Sequence, residues 1–415
     1  MFIPPYTHSN KINSTGFRCL LLVLLLSITM GACRKEVTTE RVTSYYGRSY
    51  SEIFEAFWNG MNTNYIFWDI EKVNWNNMYT TYKSRFESLD QEKGDPYKTA
   101  QKAVQYLVDM TKDLADSHLS LTFNGIANYV IAGYPVQSNN FHPASIRQQL
   151  SGYRAPIPRK TFDFIIPKYY LTNAEHGTDG GNFHMNLGVI PHNNKNILYF
   201  EYSSFQLQGQ YYATNSTPKP VKPVLDNFFR YTKDPSIDGL IIDLRGNQGG
   251  SVADLDFLLG RLVTSPVHVA YTRTKNGNGR LDFTPWIKGY VHPQPGSTNF
   301  TKPIAVLVDG YSVSMSEMTS IAVKAIFSKS KVIGEKTWGG TGQIPFNDIK
   351  YLGGQFVAAN FVQVYCAGVE FRDKNLISYE NKGLTPDISI AYDTTAIKNN
   401  IDLQLNKGLE YVSSQ

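Results

Sequence analysis

"DGLIIDLRGNQGGSVADLDFLLGRLV", residues 238–263, passes from a continuous apolar run through "DLRGNQGG" into a segment with helical periodicity. Glycines between a strand and a helix permit positive φ and turn free backbone N–H groups toward a ligand. Such a turn can hold a phosphate at the helix N-terminus, supply the donors of an oxyanion hole, or simply make a tight connection. Neither GxxxxGK[ST] nor GxGxxG occurs in it, so the two common nucleotide fingerprints are absent.

Around this stretch the chain alternates strand-like and helix-like pieces: "ILYFEY" (197–202), "VLDNFFRYTK" (224–233), "IAVLVD" (304–309), "MTSIAVKAIF" (318–327) and "KVIGEK" (331–336). Apolar strands alternating with helices predict an α/β domain with a buried sheet over 196–415. The second strand-to-helix junction reads "LVDGYSVSMSE" (307–317), with serines at 312, 314 and 316. Ser and Asp are ordinary turn and N-cap residues. A hydroxyl backed by helix N-terminal amides is also a good position for a nucleophile.

Upstream, Phe54, Phe57, Trp58 and Met61 recur at helical spacing, as do Val104, Leu107, Val108 and Leu114. They predict a helical domain over 50–123, its aromatics read as core. Residues 124–195 are irregular, rich in Asn, Gly, Pro and Tyr, with strand-like pieces such as "TFDFII" (161–166). They read as a small β-rich middle segment.

The composition is globular, with 415 residues, 42% hydrophobic and 18% charged. The net charge is +5, of which Lys11 and Arg18 supply two, and no basic run is dense enough to bind nucleic acid. Those two residues precede "CLLLVLLLSITM" (19–30) and "GAC" (31–33), the layout of a secretory signal over 1–32. The apolar stretch is too short to remain as a membrane span. "MGAC" resembles the lipobox of bacterial lipoproteins, with Met30 where Leu is usual. That implies lipidation at Cys33, a tether over 33–49 and anchoring at the cell envelope, on its periplasmic or surface face. With Cys19 lost and Cys33 lipidated, Cys366 is a lone thiol that can neither staple a domain nor build a zinc site.

Taken together, the two junctions resemble the C-terminal-processing (tail-specific) and tricorn-core family of serine peptidases. In that family a "DLRxNxGG" turn precedes an "S-x-[SA]-E" turn within one α/β domain of the crotonase/ClpP-like kind, a ββα spiral. The resemblance implies Ser314 as nucleophile, with N–H groups of Gly249, Gly250 and Met315 as oxyanion donors. Tail-specific members use a downstream Lys as base; Gly339 stands at that position here, and Lys336 lies three residues early. "KTWGG" (336–340) resembles instead the tricorn-core branch, whose tetrad is Ser–His–Ser–Glu. Ser117 and His118 in "LADSHLSL" and Glu380 in "SYENKGLTPDISI" would complete it. In that tetrad the carboxylate supports the imidazole through the Ser117 hydroxyl. A His base near its reference pKa of ~6.5 would place an acid limb around pH 6–7.

The resemblance covers roughly 50–123 and 196–392. It implies a protein or peptide substrate, no cofactor and no metal. Most members carry a PDZ domain, and 124–195 shows no sign of one. The contrasting reading is a catalytically silent, lipid-anchored peptide-binding scaffold with the same fold, which a fluorophosphonate probe separates from an enzyme. A crotonase-type acyl-CoA enzyme is disfavoured by export away from CoA.

Overall fold

The computed structural model describes residues 44–125, 129–131, 134–136, 139–151, 153–213, 220–344 and 353–415. The signal, lipobox and Cys33 lie outside these. Contacts divide the chain into Met1–Thr39 and Glu40–Gln415, and all that follows concerns the second unit.

Helices α1 (Tyr50–Asn64), α2 (Trp75–Asp90) and α3 (Pro96–Thr111) form the N-terminal layer. α1 starts on a capping box in which Ser49 and Glu52 satisfy each other's backbone N–H groups. The aromatic stripe is core: Phe54, Phe57 and Met61 are buried, and Trp58 stacks on Trp75 with centroids 4.8 Å apart. The segment expected to be helical ends in a strand, β1 (Ser120–Phe123).

The central sheet has seven strands. β2 (Thr172–Thr178), β3 (His184–His192) and β4 (Lys195–Tyr202) form an antiparallel meander; β5 (Gly239–Asp243), β6 (Ile304–Val308), β7 (Ser330–Gly334) and the short Ile388–Ser389 then run parallel to β4. β5 and β6 are buried at every position, as continuous apolar runs require when helices cover both faces. Leu240, Ile242, Val306 and Val308 meet α4 (Val221–Tyr231), α5 (Ala253–Leu259) and α6 (Met315–Ile326). The alternate residues Ile241, Ala305 and Leu307 meet α7 (Leu403–Ser413) on the other face.

This is the α/β architecture expected, with two differences in the middle segment. "TFDFII" is helical, a π-helical turn over Thr161–Ile165 continuing into Ile166–Tyr169. Phe162 and Ile166, four apart, both pack under the sheet, and a run this short fits a helix as well as a strand. The boundary at 195/196 also cuts a hairpin, since His192 pairs with Lys195.

A second sheet joins distant parts of the chain. β1 pairs with β9 (Val362–Tyr365), and β9 with β8 (Phe356–Ala358), which closes over the N-terminal helices. A Cβ on Gly60 would lie 2.1 Å from the Phe356 ring, so only glycine lets α1 approach this strand.

The "DLRG" arginine is a buried structural ion. Arg245 bonds Asp243 through Nε (2.9 Å) and Nη2 (2.6 Å), and Asp402 through Nη1 (3.0 Å), tying the N-cap of α7 to the glycine turn. Removing one partner of a buried ion cluster strands the others, so Arg245→Met is expected to cost about 3–5 kcal/mol. A lowered urea midpoint checks this; an unchanged midpoint would show that the carboxylates find other partners.

Candidate active site

Ser314 occupies the turn between β6 and α6 with φ 58° and ψ −115°, a conformation strained for a residue with a side chain. Its N–H donates to Glu317 Oε2 (3.1 Å), and the same buried carboxylate accepts from Thr337 Oγ1 (2.5 Å), Gly339 N–H (2.8 Å) and Gly340 N–H (2.7 Å). Glu317 thus straps "KTWGG" to the first turn of α6. Burial raises its pKa to about 7 against four hydrogen bonds that favour the charged form. The sequence reading had not singled out this residue; its signal was the Glu three positions after a helix cap.

The other two serines are internal. Ser312 Oγ donates to Leu244 O (2.8 Å), Ser316 Oγ donates to Asn247 O (2.6 Å), and neither is exposed. Both bonds stitch the serine turn to the glycine turn. Asn247 continues the seam, donating to Tyr202 O (2.8 Å) and accepting from Gly249 N–H (2.8 Å). A Cβ on Gly249 (φ 94°) would lie 2.8 Å from Ser314 Cβ and 2.9 Å from Met315 N, so the glycine lets the two turns touch. Gly249 thereby has its amide committed inside the turn. Gly250 lines the cavity in front of Ser314, and no hydrogen bond of its N–H is found among the described residues.

His118 sits in the turn between α3 and β1, and it lines the same cavity as Ser314 and Gly250, a cleft of about 950 Å³ floored by Phe205, Met318 and Val369. Its Nδ1 is buried and makes no hydrogen bond. Desolvation, aided by nearby His142, lowers its pKa to about 4, so the imidazole is neutral at pH 7 and has a ring nitrogen free to take a proton. Lys336 lies in a separate recess of about 240 Å³ beside Tyr153 and Tyr311.

Ser117 and Glu380 stand behind His118, but they are not linked as the tetrad implies. Ser117 Oγ donates to Gly339 O (2.7 Å), and Glu380 Oε1 accepts from the Ser117 backbone N–H (2.8 Å). A carbonyl 2.7 Å away captures the hydroxyl, so it carries no relay to the imidazole. Glu380 Oε2 accepts from Gly342 N–H (2.7 Å) and Thr341 Oγ1 (3.2 Å). Asp116, another residue the sequence reading passed over, accepts from His118 N–H (2.7 Å) and Ala367 N–H (2.7 Å). Burial raises both carboxyls, Asp116 to about 6 and Glu380 well above the ordinary range, the second helped by the charge of the first. Asp116, His118 and Glu380 present ligand-type atoms within 4.8 Å of one another. All four carboxylate oxygens already accept backbone N–H groups, as parts of the fold rather than open metal ligands.

Residues 196–390 match peptidase family S41. Over 189 residues the chain is 28% identical to the tricorn protease of Thermoplasma volcanium, matching 45% of this chain and spanning only 16% of that much longer relative. Among solved structures, a candidate peptidase of Parabacteroides merdae superposes over 88% of this chain and 97% of its own, with TM-score 0.63 and 22% identity. Mature CPAF does so over 87% and 95%, with TM-score 0.56 and 14% identity. At such identities the two structures speak to the fold, while the family match places both glycine and serine turns inside it. The chain therefore carries a peptidase family S41 domain.

Proposed function

We propose that this chain is a serine-type endopeptidase of the cell envelope that hydrolyses protein or peptide substrates through an acyl-enzyme on Ser314. The observation that carries the reading is the strained Ser314, which shares one cleft with a neutral, half-buried His118 and with Gly250. In this mechanism His118 takes the Ser314 proton as the hydroxyl attacks the scissile carbonyl, then returns it to the leaving amine. Gly250 N–H and the Met315 N–H, first in α6, stabilise the oxyanion, a role worth several kcal/mol in such sites. Water then deacylates the serine with His118 again as base. Ser117 and Glu380 act as a brace: they hold the His118 turn to the 339–342 loop. Covalent labelling of the purified chain by a fluorophosphonate, together with cleavage of an unstructured protein substrate, tests the reading. A silent scaffold would show neither.

Envelope anchoring is proposed from the lipobox alone. Among the described residues no helix is long and apolar enough to cross a membrane. We expect the mature chain to be diacylated at Cys33 and to sediment with membranes, and Cys33→Ser to move it into the soluble fraction. Membrane association that survives Cys33→Ser would reject lipid anchoring.

A further inference from the structure

The turn that carries His118 is held in an unusual way. Four successive backbone N–H groups are each taken by a side chain: Ala115 by Glu71 Oε1 (2.7 Å), Asp116 by Tyr65 Oη (3.1 Å), Ser117 by Glu380 Oε1 (2.8 Å) and His118 by Asp116 Oδ1 (2.7 Å). The first two acceptors are coupled, because Tyr65 Oη donates to Glu71. Both belong to "NYIFWDIEKV" (64–73), between α1 and α2 and outside the S41 match. Tyr65 is fully buried, its ring edge-on to Trp68 at 4.8 Å, so its hydroxyl has a fixed position. Burial raises the Glu71 carboxyl to about 7 even though it accepts two hydrogen bonds.

His118 lacks a hydrogen bond on Nδ1, so no side-chain partner on that atom aims the ring. Its orientation then rests on the backbone of its own turn and on packing. Proton transfer needs the base within about 2.6–3.2 Å of the hydroxyl, and misplacement by about 1 Å can cost on the order of 100-fold. We infer that Tyr65 and Glu71 are positioning residues for catalysis: the N-terminal helical layer braces the base of the S41 domain through the amides of Ala115 and Asp116. The inference rests on the reading of His118 as the base for Ser314.

The test uses the full chain and the variants Tyr65→Phe, Glu71→Ala and Glu71→Gln. Four quantities are read: kcat and KM on one peptide, fluorophosphonate labelling rate, melting temperature, and hydrogen exchange of the 115–118 amides. Tyr65→Phe keeps the ring in the core and removes the hydroxyl, which accepts from Asp116 N–H and donates to Glu71. It is expected to lower kcat and labelling by about 10- to 100-fold, with KM little changed and exchange at Asp116 accelerated. Glu71→Ala should behave alike. Glu71→Gln should recover most of that loss, since a carbonyl oxygen can accept from both Ala115 and Tyr65. Variants that melt lower but label at the wild-type rate per folded molecule would overturn the inference and leave a structural role only. Unchanged exchange at Ala115 and Asp116 would overturn it as well. A wild-type chain that no fluorophosphonate labels would instead overturn the peptidase reading, because the exchange measurement reports on the brace independently.

Discussion

Ser314→Ala is expected to abolish peptide cleavage and covalent labelling together, with turnover falling on the order of a million-fold, as when serine peptidases lose their nucleophile. Of the three clustered serines, only Ser314 faces the cleft; the other two have their hydroxyls bonded to Leu244 O and Asn247 O. Ser312→Ala and Ser316→Ala should lower stability, each losing a buried hydrogen bond at about 1–3 kcal/mol for the partner left unsatisfied. Their folded fractions should still be labelled. Residual cleavage by Ser314→Ala at the wild-type rate would exclude it as the nucleophile, and loss of labelling only in Ser312→Ala would move the site by two residues.

His118→Ala carries the second large effect and should be nearly as inactive. A serine hydroxyl needs a base within reach, and among the described residues the titratable side chains that line the cleft with it are His118 and Tyr365. The phenol, its pKa raised by burial, is protonated at neutral pH and cannot take the proton. Lys336→Ala should retain most activity, because Lys336 opens into a different recess. The reverse outcome would indicate a Ser–Lys enzyme with a displaced lysine. Glu380→Gln should fall between, since an amide offers one acceptor oxygen where the carboxylate now serves Ser117, Thr341 and Gly342.

The same residue sets the pH dependence, and burial changes the expectation. Rate is lost as the base is protonated, so the acid limb follows the pKa of His118 in the free enzyme. Sequence alone placed that limb at the reference value near pH 6–7. With the imidazole pushed down to about 4, the base stays neutral through mildly acidic solution, and the limb should appear near pH 4. Labelling rate against pH decides this. A limb at pH 6–7 would mean that the working imidazole is solvated.

How much was legible beforehand varies with how local the signal is. The buried strands of the α/β sheet were readable because runs such as "IAVLV" and "GLIID" must be covered on both faces. "TFDFII" was misread because six residues do not distinguish the two periods, and the sheet face that decides between them lies elsewhere in the chain. Glu71 carries no local signal; its role appears only where it meets Ala115, 44 residues away.

By itself the sequence determined that an α/β domain exists, that its glycine and serine turns follow the ends of buried strands, and that Ser314, His118, Ser117 and Glu380 are the residues to examine. The first two follow from residue type and short-range periodicity, which one chain displays directly, and the four residues come from the motifs' resemblance to a peptidase family. Tertiary structure alone decided which serine faces the cleft and that the Gly249 amide is committed to Asn247. It decided too that the Ser117 hydroxyl turns to Gly339, and that His118 is desolvated enough to lose its ordinary pKa. Apart from the Gly249 bond, which reaches only two residues back, the physical reason is common to them. Hydrogen-bond partners and desolvation are set by groups hundreds of residues apart in sequence, such as Ser117 and Glu380, which become neighbours only when β1 pairs with β9 and the 339–342 loop closes over the His118 turn.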